Sequence, residues 1–193
     1  MLTITVFSVI GLSVHANSTH TVEKGDSLWK IAVRYEVGLS EIKSANPSIK
    51  NYDLIYPGQV INLPTVLPSV AAYEAEVVGL VNEIRVSHGL KPLTYDWQLS
   101  RVARYKSQDM RDLGYFSHTS PTYGSPFQMM KSFGIIYKTA GENIAKGYPS
   151  PKAVVDAWMN SPGHRANILN SSYTHIGVGY VVSGNYWTQM FKS

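Results

Sequence analysis

The chain has 193 residues, a net charge of +4 at pH 7, 44% hydrophobic residues and 16% charged residues. This composition is typical of a folded globular protein and excludes a disordered or collagen-like chain. The excess positive charge lies in residues 73–193 and contains no run of Lys or Arg. We therefore expect a solvated basic surface and no nucleic-acid partner.

The chain opens with an uncharged apolar run, Leu2 to Val14, which ends in Val14-His15-Ala16. The run is too short to span a bilayer as a helix. A small residue on each side of His15 is typical of signal-peptidase cleavage, which predicts a signal peptide over residues 1–16. No Lys or Arg precedes the run, so we expect this peptide to be truncated at its start. The alternative is a buried strand. We expect no transmembrane segment in the mature chain.

Two regions follow the apolar run. The first covers residues 20–64, the second covers residues 73–193, and the segment 65–72 between them reads as a semi-rigid linker because it is uncharged and contains Pro68. The chain has no cysteine, so a secreted form depends on its hydrophobic cores for stability. The second region is large enough to build such a core by itself.

The pattern of residues 20–64 predicts the order strand, helix, helix, strand. Asp26 or Ser27 is a helix N-cap, and Asn46-Pro47 ends the second helix because the residue before proline avoids helical angles. The helical spacing of Trp29 and Tyr35 favours core positions for both.

The pattern of residues 73–193 predicts helices followed by antiparallel strands, which indicates an α+β domain. Ser-Pro pairs mark three of the helix starts, since proline is favoured in the first helical turn. Two alternating segments, 175–182 and 186–191, flank a turn at 183–185 and predict a hairpin. The first helix contains Val77, Leu80, Val81 and Ile84 on one face. The N-caps of the helices that follow are Asp96, Ser125, Ser150 and Ser161.

The first region resembles a LysM domain. Gly25-Asp26-Ser27-Leu28-Trp29 is similar to the opening of that module, and Leu54-Ile55-Tyr56-Pro57-Gly58-Gln59 is similar to its close. The resemblance implies binding of glycans that contain N-acetylglucosamine, such as peptidoglycan, in a groove between two loops. The residues it assigns to that groove are Gly25, Asp26, Ser27, Leu28, Asp53, Leu54, Ile55, Tyr56 and Pro57. Caps and turns are the structural alternative for the same residues.

The second region resembles bacterial members of the CAP (SCP-like) family, whose fold is a three-layer α-β-α sandwich. The motifs are Phe116-Ser117-His118, Gly141-Glu142-Asn143-Ile144, Trp158 to Leu169, and His175-Ile176-Gly177-Val178-Gly179-Tyr180. Many members hold two histidines and two acidic residues in a central cleft. The resemblance carries over His118, Glu142 and His164, but the segment Met159-Asn160-Ser161 lacks the second carboxylate.

His118, His164 and Glu142 are the candidate ligands for Zn²⁺ or another divalent metal. They are also the candidate catalytic residues, with Glu142 as general base. The alternative is a structural polar network. Ser117 beside His118 supplies the residue types of a hydrolase, but no nucleophile elbow is visible. We expect His88 and His175 to be structural or exposed.

These patterns predict a secreted protein of a bacterial cell wall or spore envelope. The LysM-like module would bind peptidoglycan, and the cleft would bind an unidentified ligand, lipid, metal or protein partner. The first alternative is a metal-dependent hydrolase of wall peptide or glycan. The second is a protein of spore or envelope assembly.

Overall fold

The computed structural model describes residues 18–193, and these form two units. The predicted signal peptide, residues 1–16, lies outside the described residues. No helix within residues 18–193 is both long and apolar enough to cross a membrane.

The N-terminal module is a two-stranded antiparallel sheet covered by two helices. Strand β1 (Ser18–Thr21) pairs with β2 (Val60–Leu63), and between them lie α1 (Leu28–Arg34) and α2 (Leu39–Ala45). Its small core contains buried aliphatic side chains from α1, α2, β2 and the residue that follows β1. These side chains are Val22, Leu28, Ile31, Ala32, Ile42, Ile61 and Leu63. The predicted order of strand, helix, helix, strand is confirmed.

The C-terminal domain is built on a four-stranded sheet with the order β3-β5-β6-β4. The short strand β3 (Thr94–Tyr95) is parallel to β5 (His175–Val181), whereas β6 (Tyr186–Lys192) is antiparallel to both β5 and β4 (Ala140–Lys146). The turn between β5 and β6 contains Gly184 and Asn185, both with positive φ. The predicted hairpin is therefore present, and β4 is an edge strand.

Helices cover both faces of this sheet, which gives the predicted three-layer α-β-α sandwich. On one face α4 (Trp97–Asp112) and α5 (Pro126–Ser132) pack through Leu99, Val102 and Met129. On the other face lie α3 (Pro68–Ser87), α6 (Pro151–Asn160) and α7 (Pro162–Ile168), which pack with Ile176, Val178 and Trp187. The α+β fold class is confirmed.

Glycines let α4 lie close to the sheet. A Cβ atom on Gly177 would stand 2.3 Å from Ser100 N, and a Cβ atom on Gly179 would stand 2.1 Å from Arg104 N. Both distances are to helix backbone, which a rotamer change cannot relieve. Gly177 and Gly179 of β5 therefore form the surface on which α4 packs.

Three expectations from the sequence need correction. The segment 65–72 is helical from Pro68 onward, because that proline occupies the first turn of α3 and Val70 is buried in the core of the C-terminal domain. Trp29 and Tyr35 are exposed, by 63% and 41%, because α1 turns only its Leu28, Ile31 and Ala32 face inward.

An ion pair between α2 and α4 joins the two units. Arg101 Nη2 donates to Glu41 Oε2 at 2.8 Å and to Ser40 Oγ at 3.0 Å, and Arg101 Nε donates to Glu41 Oε1. The guanidinium also packs over the rings of Tyr105 and Phe133, at 5.6 Å and 5.1 Å. Such a bidentate, stacked contact holds arginine in a defined geometry.

Candidate functional sites

A groove of about 200 Å³ opens between the β1–α1 loop and the loop that precedes β2. Its floor and walls combine apolar side chains with hydroxyl, carboxylate and ammonium groups. The lining residues are Asp26, Ser27, Leu28, Trp29, Leu39, Lys43, Tyr52, Asp53 and Ile55. This mixture suits a ligand with both flat apolar faces and hydrogen-bonding groups.

The Asp26 carboxylate braces the first wall of the groove. Its Oδ2 accepts from Glu23 N at 2.9 Å and from His20 Nε2 at 2.7 Å, and Arg34 Nη2 lies 3.3 Å from Oδ1. The main-chain bond from Glu23 and the bond from His20 lower the pKa of this carboxyl, and its side chain is only 5% exposed. Asp26 therefore shapes the loop, and Ser27 is the residue that caps α1.

Five of the nine residues predicted for glycan binding line this groove, namely Asp26, Ser27, Leu28, Asp53 and Ile55. Leu54 and Tyr56 are exposed beside it, and neither Gly25 nor Pro57 belongs to its lining. The sequence interpretation missed four lining residues, Trp29, Leu39, Lys43 and Tyr52. The signal that could have found Trp29 is its position off the face formed by Leu28, Ile31 and Ala32, although the sequence interpretation placed it in the core.

A histidine–carboxylate pair lies beside edge strand β4. His118 Nδ1 donates to Glu142 Oε1 at 2.8 Å; the imidazole is 52% exposed, whereas the Glu142 side chain is 2% exposed. Burial raises the pKa of Glu142, although the bond from His118 and the charge of Lys106 oppose that rise. Glu142 Oε2 is buried without a hydrogen-bond partner in the described part of the chain.

Two charged residues of α4 hold the loop that carries His118. The buried Lys106 donates from Nζ to His118 O at 2.9 Å and to Tyr115 Oη at 3.2 Å. Asp109, one turn later, accepts from the hydroxyls of Tyr115, Ser120 and Thr122 at 2.5, 2.7 and 2.6 Å. Lys106 and Asp109 together therefore fix the beginning, the middle and the end of this loop.

His164 lies in the first turn of α7, whose backbone is bonded to β4. Burial, and then the charge of His118, lower its pKa, which favours the neutral imidazole. Asn143 Nδ2 donates to His164 O at 3.1 Å and so ties α7 to the strand.

A cavity of about 260 Å³ lies next to His164, between β4 and helix α6. Aromatic and aliphatic side chains form most of its lining, with Lys146, Ser161 and His164 as the polar members. The remaining lining residues are Phe116, Ile144, Ala145, Tyr148, Ala157 and Trp158. His118 and Glu142 are outside this lining. Of the three predicted cleft residues, His118 and Glu142 therefore form a hydrogen-bonded pair, and His164 lines the cavity.

Family models match both units of the chain. The LysM domain model matches residues 20–64, and the model of the cysteine-rich secretory protein family, CAP, matches residues 78–191. The chain belongs to the CAP family. Its CAP domain follows a LysM domain, in the order that the motifs predict.

Two curated relatives of the chain come from Bacillus subtilis (strain 168). YkwD of Bacillus subtilis (strain 168) is 66% identical over 131 residues, which are 67% of this chain and 51% of YkwD. The membrane protein YlbC of the same organism is 37% identical over 185 residues, which are 91% of this chain and 53% of YlbC. The chain thus spans about half the length of these curated relatives.

A solved structure agrees with the CAP assignment. An extracellular protein containing an SCP domain from Bacillus anthracis str. Ames superposes with a TM-score of 0.61 and 35% identity, over 70% of this chain and 47% of that protein. Two shorter matches each cover about a quarter of the chain. They are the probable autolysin SsaALP of Staphylococcus aureus, 44% identical over 48 residues, and the spore coat assembly protein ExsA of Bacillus cereus, 48% identical over 46 residues.

The predicted metal ligands of the CAP domain do not converge on one point. Within residues 18–193 no group of three or more His, Cys, Asp or Glu side chains is placed to hold a metal ion. His118 and Glu142 are joined to each other, and the described hydrogen bonds do not join His164 to either of them. The metal site therefore stays a prediction, and no chemical step is derived from a bound metal.

The remaining candidates of the CAP domain make local contacts. Ser117 Oγ accepts from Thr119 N at 3.2 Å, and the described hydrogen bonds do not join it to an imidazole. His88 Nδ1 is hydrogen-bonded to Ile84 O, and His175 Nδ1 is hydrogen-bonded to Thr174 Oγ1, both at 2.8 Å. Neither histidine contacts the pair or the cavity.

Proposed function

We propose that this protein is a wall-associated binding protein whose LysM domain holds a glycan containing N-acetylglucosamine, with peptidoglycan as the natural ligand. The observation that carries the proposal is the groove, since five residues predicted from two distant sequence motifs line one cleft. The autolysin name of one LysM-region relative and the extracellular SCP protein support a location at the wall.

The test is sedimentation of the full chain with purified peptidoglycan at high protein concentration. We expect the wild type to pellet with the glycan, and an Asp53→Ala, Ile55→Ala double variant to pellet about tenfold less, because each substitution removes part of the groove wall. Lys50→Ala is the control, since Lys50 is exposed in the same module and outside the groove. Wild-type protein that stays in the supernatant would refute the proposal.

The CAP domain binds a second, unidentified ligand in this proposal. The mostly apolar cavity beside His164 supports a ligand with an apolar body, such as a lipid, or an apolar segment of a protein partner. The spore coat assembly name of one relative suggests spore envelope assembly as another setting for the same binding role.

One observation favours a different class of function, a hydrolase of wall peptide or glycan that requires a divalent metal. Glu142 pairs with an exposed His118 and keeps one buried carboxylate oxygen free, an arrangement that a general base needs. His118 and His164 would supply the imidazole donors for Zn²⁺. Glu142→Gln would then abolish turnover of a wall digest while the protein stays folded.

Zinc calorimetry separates these two readings of the CAP domain. Saturable one-to-one binding by the metal-free full chain, lost in His164→Ala, would favour the hydrolase. Equal heats for both proteins would leave the pair as a polar network. His88→Ala serves as the matched control, because His88 makes only a local contact at the end of α3.

A further inference from the structure

Trp29 is the most exposed large hydrophobic side chain within residues 20–64, ahead of Tyr56 at 60% and Leu54 at 51%. It is 63% exposed, whereas the core of this small module is filled by aliphatic residues. Two of the other three tryptophans of the chain, Trp158 and Trp187, are fully buried, and Trp97 is half-buried. An indole exposed to water lacks the large stabilisation that burial of the ring would give. A ligand that covers the ring would supply that stabilisation.

The indole lines the groove, and the structure leaves its face free. Within residues 18–193 no aromatic ring or cation packs on Trp29. Tyr52, the other aromatic residue of the groove, is already engaged: Lys43 Nζ lies 5.3 Å from its ring centroid, and its hydroxyl donates to Lys43 O and Asn46 O. Trp29 therefore offers the one uncovered aromatic face of the groove lining described here.

The first turn of α1 holds this residue in place. Leu28 on one side is buried, and Ser27 caps the helix through Lys30 N, so the backbone of Trp29 is fixed while its side chain points to the groove. A pyranose ring has a flat apolar face of C–H groups, and an indole attracts such a face through its π-system and through apolar burial.

We propose that Trp29 is a stacking platform that adds a sugar subsite to the α1 side of the groove. The loops bind the hydrogen-bonding groups of the glycan, and the indole packs on the ring of the adjoining sugar. This inference rests on the proposed glycan-binding function and names a residue that sets its affinity.

The experiment is a titration of the full chain with the tetramer of N-acetylglucosamine, followed by tryptophan fluorescence and by calorimetry. In the wild type we expect the emission to shift to shorter wavelength as the exposed indole becomes covered. In Trp29→Ala we expect no emission shift and binding weaker by about tenfold, the size of a good aromatic packing contact.

Two control variants separate stacking from a general effect on the module. Trp29→Tyr keeps a ring and is expected to restore most of the affinity. Val33→Ala removes another exposed apolar side chain one turn later on α1, outside the groove lining, and is expected to bind like the wild type. All variants should unfold at the wild-type temperature, because neither side chain belongs to the core.

The outcomes are distinguishable. If Trp29→Ala binds the tetramer with the affinity of the wild type, the platform is overturned and glycan binding remains in place. Absence of binding by the wild type would remove the glycan-binding function and the platform with it. Weakened binding in Val33→Ala to the same degree as in Trp29→Ala would also overturn the specific role of the indole.

Discussion

Asp109 shows how one carboxylate can order a loop that carries candidate chemistry. Its three hydroxyl donors come from the segment that contains His118, while its own backbone is fixed in α4. Burial raises the pKa of Asp109, but the bonds from Thr122, Tyr115 and Ser120 outweigh it and lower the pKa below 3.8. The ionised form is therefore the one that the fold stabilises.

We predict that Asp109→Asn lowers the free energy of unfolding by about 1–2 kcal/mol at pH 7, because charge-assisted hydrogen bonds are lost at a site that is partly open to solvent. The lowered pKa means that this contribution is present above pH 3.8 and is lost as the pH falls through the folded-state pKa. Urea denaturation between pH 3 and pH 7 measures it. A variant that stays equally destabilised at low pH would contradict the assignment.

Glu142 has the opposite linkage. Because burial raises its pKa, the folded state retains a proton that the unfolded chain releases above pH 4.5, so stability falls as the pH rises through the folded-state pKa. We expect Glu142→Gln, which carries no charge, to be more stable than the wild type at pH 7 and nearly equal to it at pH 4. Thermal unfolding across this range measures the difference. A variant less stable at pH 7 would contradict the prediction.

At the scale of elements, the close approach of α4 to β5 decides the architecture of the CAP domain. Gly179→Ala would place a methyl group against the backbone of Ala103 and Arg104, so we expect a loss of about 3 kcal/mol or more, at the upper end of overpacking costs. Chemical denaturation measures the loss. Wild-type stability would show that α4 can move away from the sheet at little cost.

Gly79→Ala is the matched control for this substitution. Gly79 is exposed in the middle of α3, and a Cβ atom there would meet nothing within 4 Å. Alanine is favoured over glycine inside a helix, so we expect a gain of about 0.5–1 kcal/mol. The opposite signs of the two glycine substitutions would separate helix propensity from packing.

For the whole molecule, the Glu41–Arg101 pair is a contact that joins the LysM and CAP domains. Gly38 belongs to this contact, since a Cβ atom there would stand 2.3 Å from Arg101 Nε and 2.0 Å from Glu41 Oε2. Only a short segment, 64–67, joins β2 to α3. The ion pair and the short connection both restrict movement between the two domains.

We predict that Arg101→Gln broadens the distribution of distances between the two domains, because an ion pair on the order of 1 kcal/mol and its ring contacts are lost. The chain has no cysteine, so spin labels at introduced Lys24→Cys and Lys152→Cys report this distance without interference. The exchanged pair, Glu41→Arg with Arg101→Glu, should narrow the distribution again. Arg111→Gln, which breaks a pair inside the CAP domain, is the control.

The order of elements was predictable because it depends on local chemistry. A Ser-Pro pair begins a helix and an Asn-Pro pair ends one. The periodicity of apolar residues, 3.6 for a helix and two for a strand, is likewise visible within a few residues of chain. The motifs also predicted both families and five of the nine residues that line the groove of the LysM domain. Strands β3 and β4 were not predicted, since a strand as short as β3 and one as polar as Gly141-Glu142-Asn143 show no alternation that would reveal them.

The sequence by itself thus determined the two domains, their order, most of their elements and the residues worth testing. Only the tertiary structure decided which of those residues meet. It joined His118 to Glu142 and placed His164 beside a separate cavity, it turned Trp29 outward into the groove, and it paired Glu41 with Arg101 across sixty residues of chain. These contacts depend on how residues far apart in the chain pack together. Local sequence patterns do not predict the free energy of that packing.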